Sequence, residues 1–96
     1  MKVLFTHRAI ADVEGIAGYL RQHSPSAAEK TEKAIRNAIA LLSDFPMVGR
    51  AREELEVRVL YVPRYPYAVY YRVEGEEIWI VHVRDGRRRP LMRGDL

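Results

Sequence analysis

Apolar residues along this chain change period half-way. In the first half, Ile10, Val13, Ile16, Ala17 and Leu20 recur at spacings of three and four, one stripe along a helix. Ala28, Thr31, Ala34, Ile35, Ala38, Leu41 and Leu42 give a second such stripe, rich in alanines that allow close approach to a neighbour. Thr6 can cap the first helix, and Asp12 and Glu14 lie near its start, where the helix dipole favours negative charge. That helix should stop near His23. Ser24-Pro25-Ser26-Ala27-Ala28-Glu29 is a restart signal with two solutions: Ser24 caps with Pro25 at the first helical position, or Ser26 and Glu29 form a capping box. Asp44-Phe45-Pro46 ends the second helix, because the residue before proline is pushed out of the α region. Two helices joined by so short a break pack as an antiparallel hairpin.

The second half alternates. Glu56 to Val62, Tyr67 to Val73 and Glu77 to Arg84 are rich in Val, Tyr and Ile and read as strands. Pro63-Arg64-Tyr65-Pro66 separates the first two, and Glu74-Gly75-Glu76 is a tight turn before the third. Lys2 to Phe5 reads as a further short strand. The predicted order is β-α-α-β-β-β: an N-terminal strand, a helix hairpin and a three-stranded antiparallel meander. This is an α+β fold in which the hairpin covers one face of the sheet. A chain of 96 residues fits one domain, 1–96, with a basic C-terminal tail over 84–96.

Charge placement sharpens the picture. The net charge is +3, and the segment Arg84 to Leu96, with five arginines and two aspartates, carries all of it. Arginine outnumbers lysine 13 to 3. Arginine makes planar, bidentate contacts to carboxylate or phosphate, so the tail reads as a contact patch or as a solvated tail. No cysteine is present, which excludes disulfides, thiolate metal sites and a cysteine nucleophile, and fits a reducing cytoplasm. The opening run Met1 to Phe5 is too short for a signal peptide, and no stretch is long enough to span a bilayer. No histidine pair has metal-ligand spacing, so neither a metal nor another cofactor is expected.

Several local patterns together resemble the RelE/ParE superfamily of toxins from type II toxin–antitoxin systems, and its ParE branch in particular. They are Phe5-Thr6 with Ala9, Asp12 and Ile16; Leu42 through Phe45-Pro46 to Gly49-Arg50; Arg58 followed by Tyr67-Ala68-Val69-Tyr70-Tyr71-Arg72-Val73; and Ile78 to Val83 with Gly86-Arg87-Arg88 and Pro90. The resemblance implies a toxin neutralised by a cognate antitoxin, expected to be a ribbon-helix-helix DNA-binding protein, so that DNA is met only through the antitoxin. Within the superfamily one branch cleaves messenger RNA on the ribosome, and the ParE-like branch poisons DNA gyrase. RNA cleavage needs a group to exchange protons beside the phosphate. After Val83 the chain holds only Arg, Asp, Gly, Pro, Leu and Met, none of which does so near neutral pH. That favours gyrase as the target. The alternatives are a RelE-type ribonuclease and a non-toxic module that only pairs with its antitoxin. Many members carry histidine just before the glycine that follows the last strand; here Asp85 stands there, and His82 lies three positions earlier.

Residue by residue, Arg58, Arg84, Arg87, Arg88 and Arg89 are expected to contact the target. Arg58, between Val57 and Val59, should point away from the valines towards a ligand or antitoxin. Arg50 and Arg52 read as contacts or as loop charge, with loop charge favoured for Arg52. His82 should share the face of Ile78 and Ile80 as a packing residue; with Tyr70 it is a candidate proton-transfer residue only under the ribonuclease alternative. His7 and His23 read as surface or capping residues. Of the neighbours Tyr70 and Tyr71, one should be core and the other should lie with Trp79 on an open face that a partner covers. Tyr19, Leu20, Tyr61, Tyr70 and Trp79 are the expected antitoxin contacts.

Overall fold

A computed structural model describes residues 1–96. Strand β1 spans Lys2–Phe5, helix α1 His7–Arg21 and helix α2 Pro25–Asp44. Strands β2 (Arg50–Arg52), β3 (Val57–Tyr61), β4 (Tyr67–Glu74) and β5 (Glu77–Asp85) follow. The expected order therefore holds, with β2 added where a loop was expected.

Both helix starts follow their capping chemistry. The Thr6 hydroxyl accepts the Ala9 N–H at 3.1 Å, and the Ser24 hydroxyl accepts that of Ala27 at 3.1 Å with Pro25 leading the helix. Of the two restart solutions, Ser24 is the one used. Asp12 and Glu14 lie beyond the first turn, so they do not serve the dipole of α1. The buried stripe on α1 is Ala9, Val13 and Ala17, while Ile10 is exposed. Small residues at four-residue spacing let α1 lie close to the sheet, and the bulkier Ile10 flanks that line. On α2, Ile39 joins the core and Leu41 faces outward.

The sheet runs β1-β5-β4-β3-β2. β1 pairs parallel with β5, through Phe5 opposite Ile80, and the other neighbours are antiparallel. Against the helices sits a core of twelve residues, including Ile35, Leu42, Val69, Tyr71, Ile78, Ile80 and Val83. The opposite face carries a second, smaller cluster: Leu55, Val57, Val59, Ala68, Tyr70 and Leu91. Tyr70 and Tyr71 do point to opposite faces. Tyr70, however, is not left open for a partner, because the chain's own C-terminal segment folds back and buries Leu91 beside it.

A β-bulge breaks the β4–β5 register: Tyr71 opposes Ile80, but Tyr70 opposes His82, so Val81 is the extra residue. The bulge reverses the alternation beyond it. Val83 takes the helix-facing position opposite Val69, and His82 leaves the face of Ile78 and Ile80 to stack on Tyr70, ring centroids 6.0 Å apart.

Candidate functional site

The arginine-rich segment is a folded latch rather than a solvated tail. Arg84 is buried, its guanidinium 3.5 Å from Asp95 and 3.1 Å from the Arg89 carbonyl, which it reaches as donor. Arg89 grips Asp95 with two bonds of 2.7 and 2.8 Å, and the Met92 N–H adds a third. Arg93 donates to the Glu54 carbonyl, Arg8 of α1 to the Asp95 carbonyl, and Arg52 to the Leu91 carbonyl. The Arg89 guanidinium, with the Met92 N–H, holds the Asp95 carboxyl well below the usual carboxylate range. Arg87 wraps Asp85, at 2.8 and 3.1 Å, and lowers that carboxyl likewise.

The expected target contacts therefore separate. Arg84 was expected as an exposed contact, but its side chain is only 4% exposed and its charge is met inside the chain. Arg87 and Arg89 are exposed and paired with Asp85 and Asp95. Arg88 is exposed, and its guanidinium has no partner. Arg58 does point away from the valines, which belong to the second cluster. There it meets the chain itself, donating to the carbonyls of Met47 (3.2 Å) and Gly49 (2.7 Å). It braces the loop after α2 rather than facing open solvent. The same loop is held by the Tyr71 hydroxyl, which accepts the Gly49 N–H at 2.8 Å and donates to the Pro46 carbonyl at 2.9 Å. Phe45, Met47 and Val48 stand exposed on it, next to exposed Leu41 on α2.

The expected antitoxin contacts also separate. Tyr19 and Tyr61 are exposed, Leu20 and Trp79 are half-buried, and Tyr70 is buried. Trp79 lies away from the helix-facing core, its Nε1 donating to Glu77 at 3.3 Å. Burial pushes the phenols of Tyr67, Tyr70 and Tyr71 up from their ordinary value.

One pairing was not legible in the sequence. Where β1 ends, the outer edge of β5 would be bare, and the Asp12 carboxylate of α1 occupies it. Its Oδ2 accepts the Val83 N–H at 2.9 Å and lies 2.6 Å from His82 Nδ1. A carboxylate only accepts, so Nδ1 is the donor of this bond and Nε2 is left without a partner in the chain. His82 is thus more than packing: it is an oriented imidazole. The one sequence signal was Asp12 on the same helix face as Ile16, with nothing to say that it would reach a strand seventy residues away.

Comparison with known proteins gives the class of protein to which this fold belongs. Residues 3–90 match the family described as the ParE toxin of the type II toxin–antitoxin system, parDE. Toxin RelE2 of Caulobacter vibrioides is 32% identical over 87 residues, 91% of this chain and 97% of that protein. A chain in the structure of the chromosomal ParDE toxin–antitoxin system from P. aeruginosa superposes with a TM-score of 0.76 at 30% identity, over 88% of this chain and 95% of that one. The chain belongs to the ParE toxin family of type II toxin–antitoxin systems.

Proposed function

We propose that this toxin acts by poisoning DNA gyrase and is neutralised by a cognate antitoxin. The observation that carries this reading is the match to ParE toxins over residues 3–90. The geometry supports it. The latch presents guanidinium groups and no proton-exchanging side chain, and the ribonuclease alternative is weakened at Tyr70, whose side chain is largely buried and whose phenol that burial shifts further from neutrality. A bridge to an acidic surface or to a DNA phosphate falls to Arg88, the unpaired cation of the segment. The antitoxin, a ribbon-helix-helix protein by family resemblance, would cover exposed apolar residues such as Ile10, Tyr19, Leu41 and Phe45. Its partner is expected by likeness to the P. aeruginosa ParDE system. The whole of 1–96 would act as one domain.

The test is a supercoiling and cleavage assay with purified gyrase, the intact toxin and Arg88→Ala. A truncation after Val83 would strip Leu91 from its cluster and confuse folding with activity. Inhibition with accumulated cleaved DNA, weakened at least tenfold in Arg88→Ala, supports the proposal; about 1.4 kcal/mol of lost contact suffices for that. Unaltered supercoiling at large molar excess of folded, toxic protein overturns it.

A further inference from the structure

Between α1 and the end of β5 lies an open concavity of about 420 Å³. Arg8, Asp12, Tyr19, Tyr67, His82 and Arg88 line it. Its size is that of a small-molecule site. Three features point to a ligand. The His82 side chain is 94% buried yet its Nε2 has no partner in the chain; no fully buried side-chain nitrogen or oxygen lacks one, so Nε2 keeps some access from outside, and His82 lines this concavity. Asp12 fixes the ring through Nδ1, which sets its orientation. Arg8 and Arg88 add two guanidinium groups that no carboxylate in the chain neutralises, whereas Asp85 and Arg84 on the same wall are already paired with Arg87 and Asp95.

We propose that this concavity binds the phosphoryl group of a nucleotide. Arg8 and Arg88 hold the phosphate oxygens, and His82 Nε2 meets a phosphate hydroxyl or a ribose hydroxyl. The rings of Tyr19 and Tyr67 supply faces for the base, as aromatic side chains do in sequence-tolerant nucleotide sites. The Tyr67 hydroxyl, without a partner in the chain, is a further hydrogen-bonding group on the wall. The site lies on the α1 side of β5 and adjoins the latch, since Arg8 also donates to the Asp95 carbonyl and Arg84 stands on the same wall; the inference stands whatever the cellular target of the toxin. The phosphate has two possible sources, a free mononucleotide or the end of a nucleic-acid strand.

The experiment follows the His82 ring resonances of the intact, ¹⁵N-labelled toxin during titration. The probes are inorganic phosphate, adenosine 5′-monophosphate, and a short RNA with either a 5′-phosphate or a 5′-hydroxyl. A saturable shift at His82 with the mononucleotide, weaker with inorganic phosphate, is expected. Arg88→Ala and Arg8→Ala each weaken it about tenfold, the worth of one charge-assisted contact. His82→Asn keeps an N–H for Asp12 but removes Nε2, and followed through the Tyr67 resonances it weakens binding comparably. Lys33→Ala, on the exposed side of α2, leaves binding unchanged. Tighter binding of the 5′-phosphorylated RNA than of the mononucleotide assigns the site to a strand end; the reverse assigns it to a free nucleotide. No shift at His82 with any nucleotide probe at millimolar concentration overturns the proposal. So does inorganic phosphate binding as tightly as the mononucleotide, or equal weakening by Lys33→Ala.

Discussion

The two faces of the sheet are closed by different physics. On the helix side, twelve buried residues interlock around Tyr71, Ile35 and Leu42, and the Tyr71 hydroxyl is satisfied twice. On the other side six residues pack, and the cover over them is held by Asp95, its arginines and a few guanidinium-to-carbonyl bonds. Apolar burial is nearly indifferent to pH and salt, whereas exposed ion pairs are screened and titrate. One face should therefore govern global stability and the other local order.

The largest effect is expected from the helix side. Leu42→Ala or Ile35→Ala removes a fully buried side chain and should cost about 3 kcal/mol in denaturant unfolding, within the usual range for such cavities. A loss below about 1 kcal/mol would break the comparison, because that core would then be no tighter than the latch. Next comes Gly49→Ala. A Cβ there would lie 2.5 Å from the Tyr71 hydroxyl oxygen, so either the loop or the ring must move. The expected cost is about 1–3 kcal/mol, and exposed Phe45, Met47 and Val48 should lose their fixed position in the amide spectrum.

The smallest global effect, and the most local, belongs to the latch. Asp95 and Asp85 have folded pKa values below their unfolded ones, so their stabilising contribution is present above the unfolded value, about pH 4, and is lost as pH falls through the folded values. Acidification should free the amides of 86–96 to exchange while those of α2 stay protected. Asp95→Asn should produce the same pattern at neutral pH, since it also leaves buried Arg84 without its counter-charge. Simultaneous loss of protection in both regions would show that the two faces are one cooperative unit.

What the sequence disclosed follows the same division. Element order, the Thr6 cap, the helix hairpin and the meander were legible because periodicity and capping are local. The features that were not legible depend on contacts distant along the chain. β2 is three residues, Arg-Ala-Arg, with no apolar alternation to mark it, and it exists because β3 offers a pairing edge. The reversal at Val81 needs the β4 partner to be seen, and without it His82 is assigned to the wrong face. Arg84 and Arg58 read as exposed charges, since nothing local shows that Asp95 and the Gly49 carbonyl will meet them. Asp12 was visible as an acidic residue on a helix but not as a hydrogen-bonding stand-in for the missing continuation of β1.

The outer strand β2 also bears on how copies of this toxin behave when crowded. A sheet edge is a row of unsatisfied amides on which another sheet can grow, and proteins that avoid such growth keep the edge short and charged. Here the last rung is three residues long, with exposed Arg50 at one end and Arg52, tied to Glu54, at the other. At the opposite side, Thr6 and Asp12 fill the stretch of β5 that β1 leaves uncovered. Two guanidinium groups repelling their counterparts on a second molecule would discourage edge-to-edge fibres, so replacing Arg50 and Arg52 with valine should convert a dispersible protein into an aggregating one.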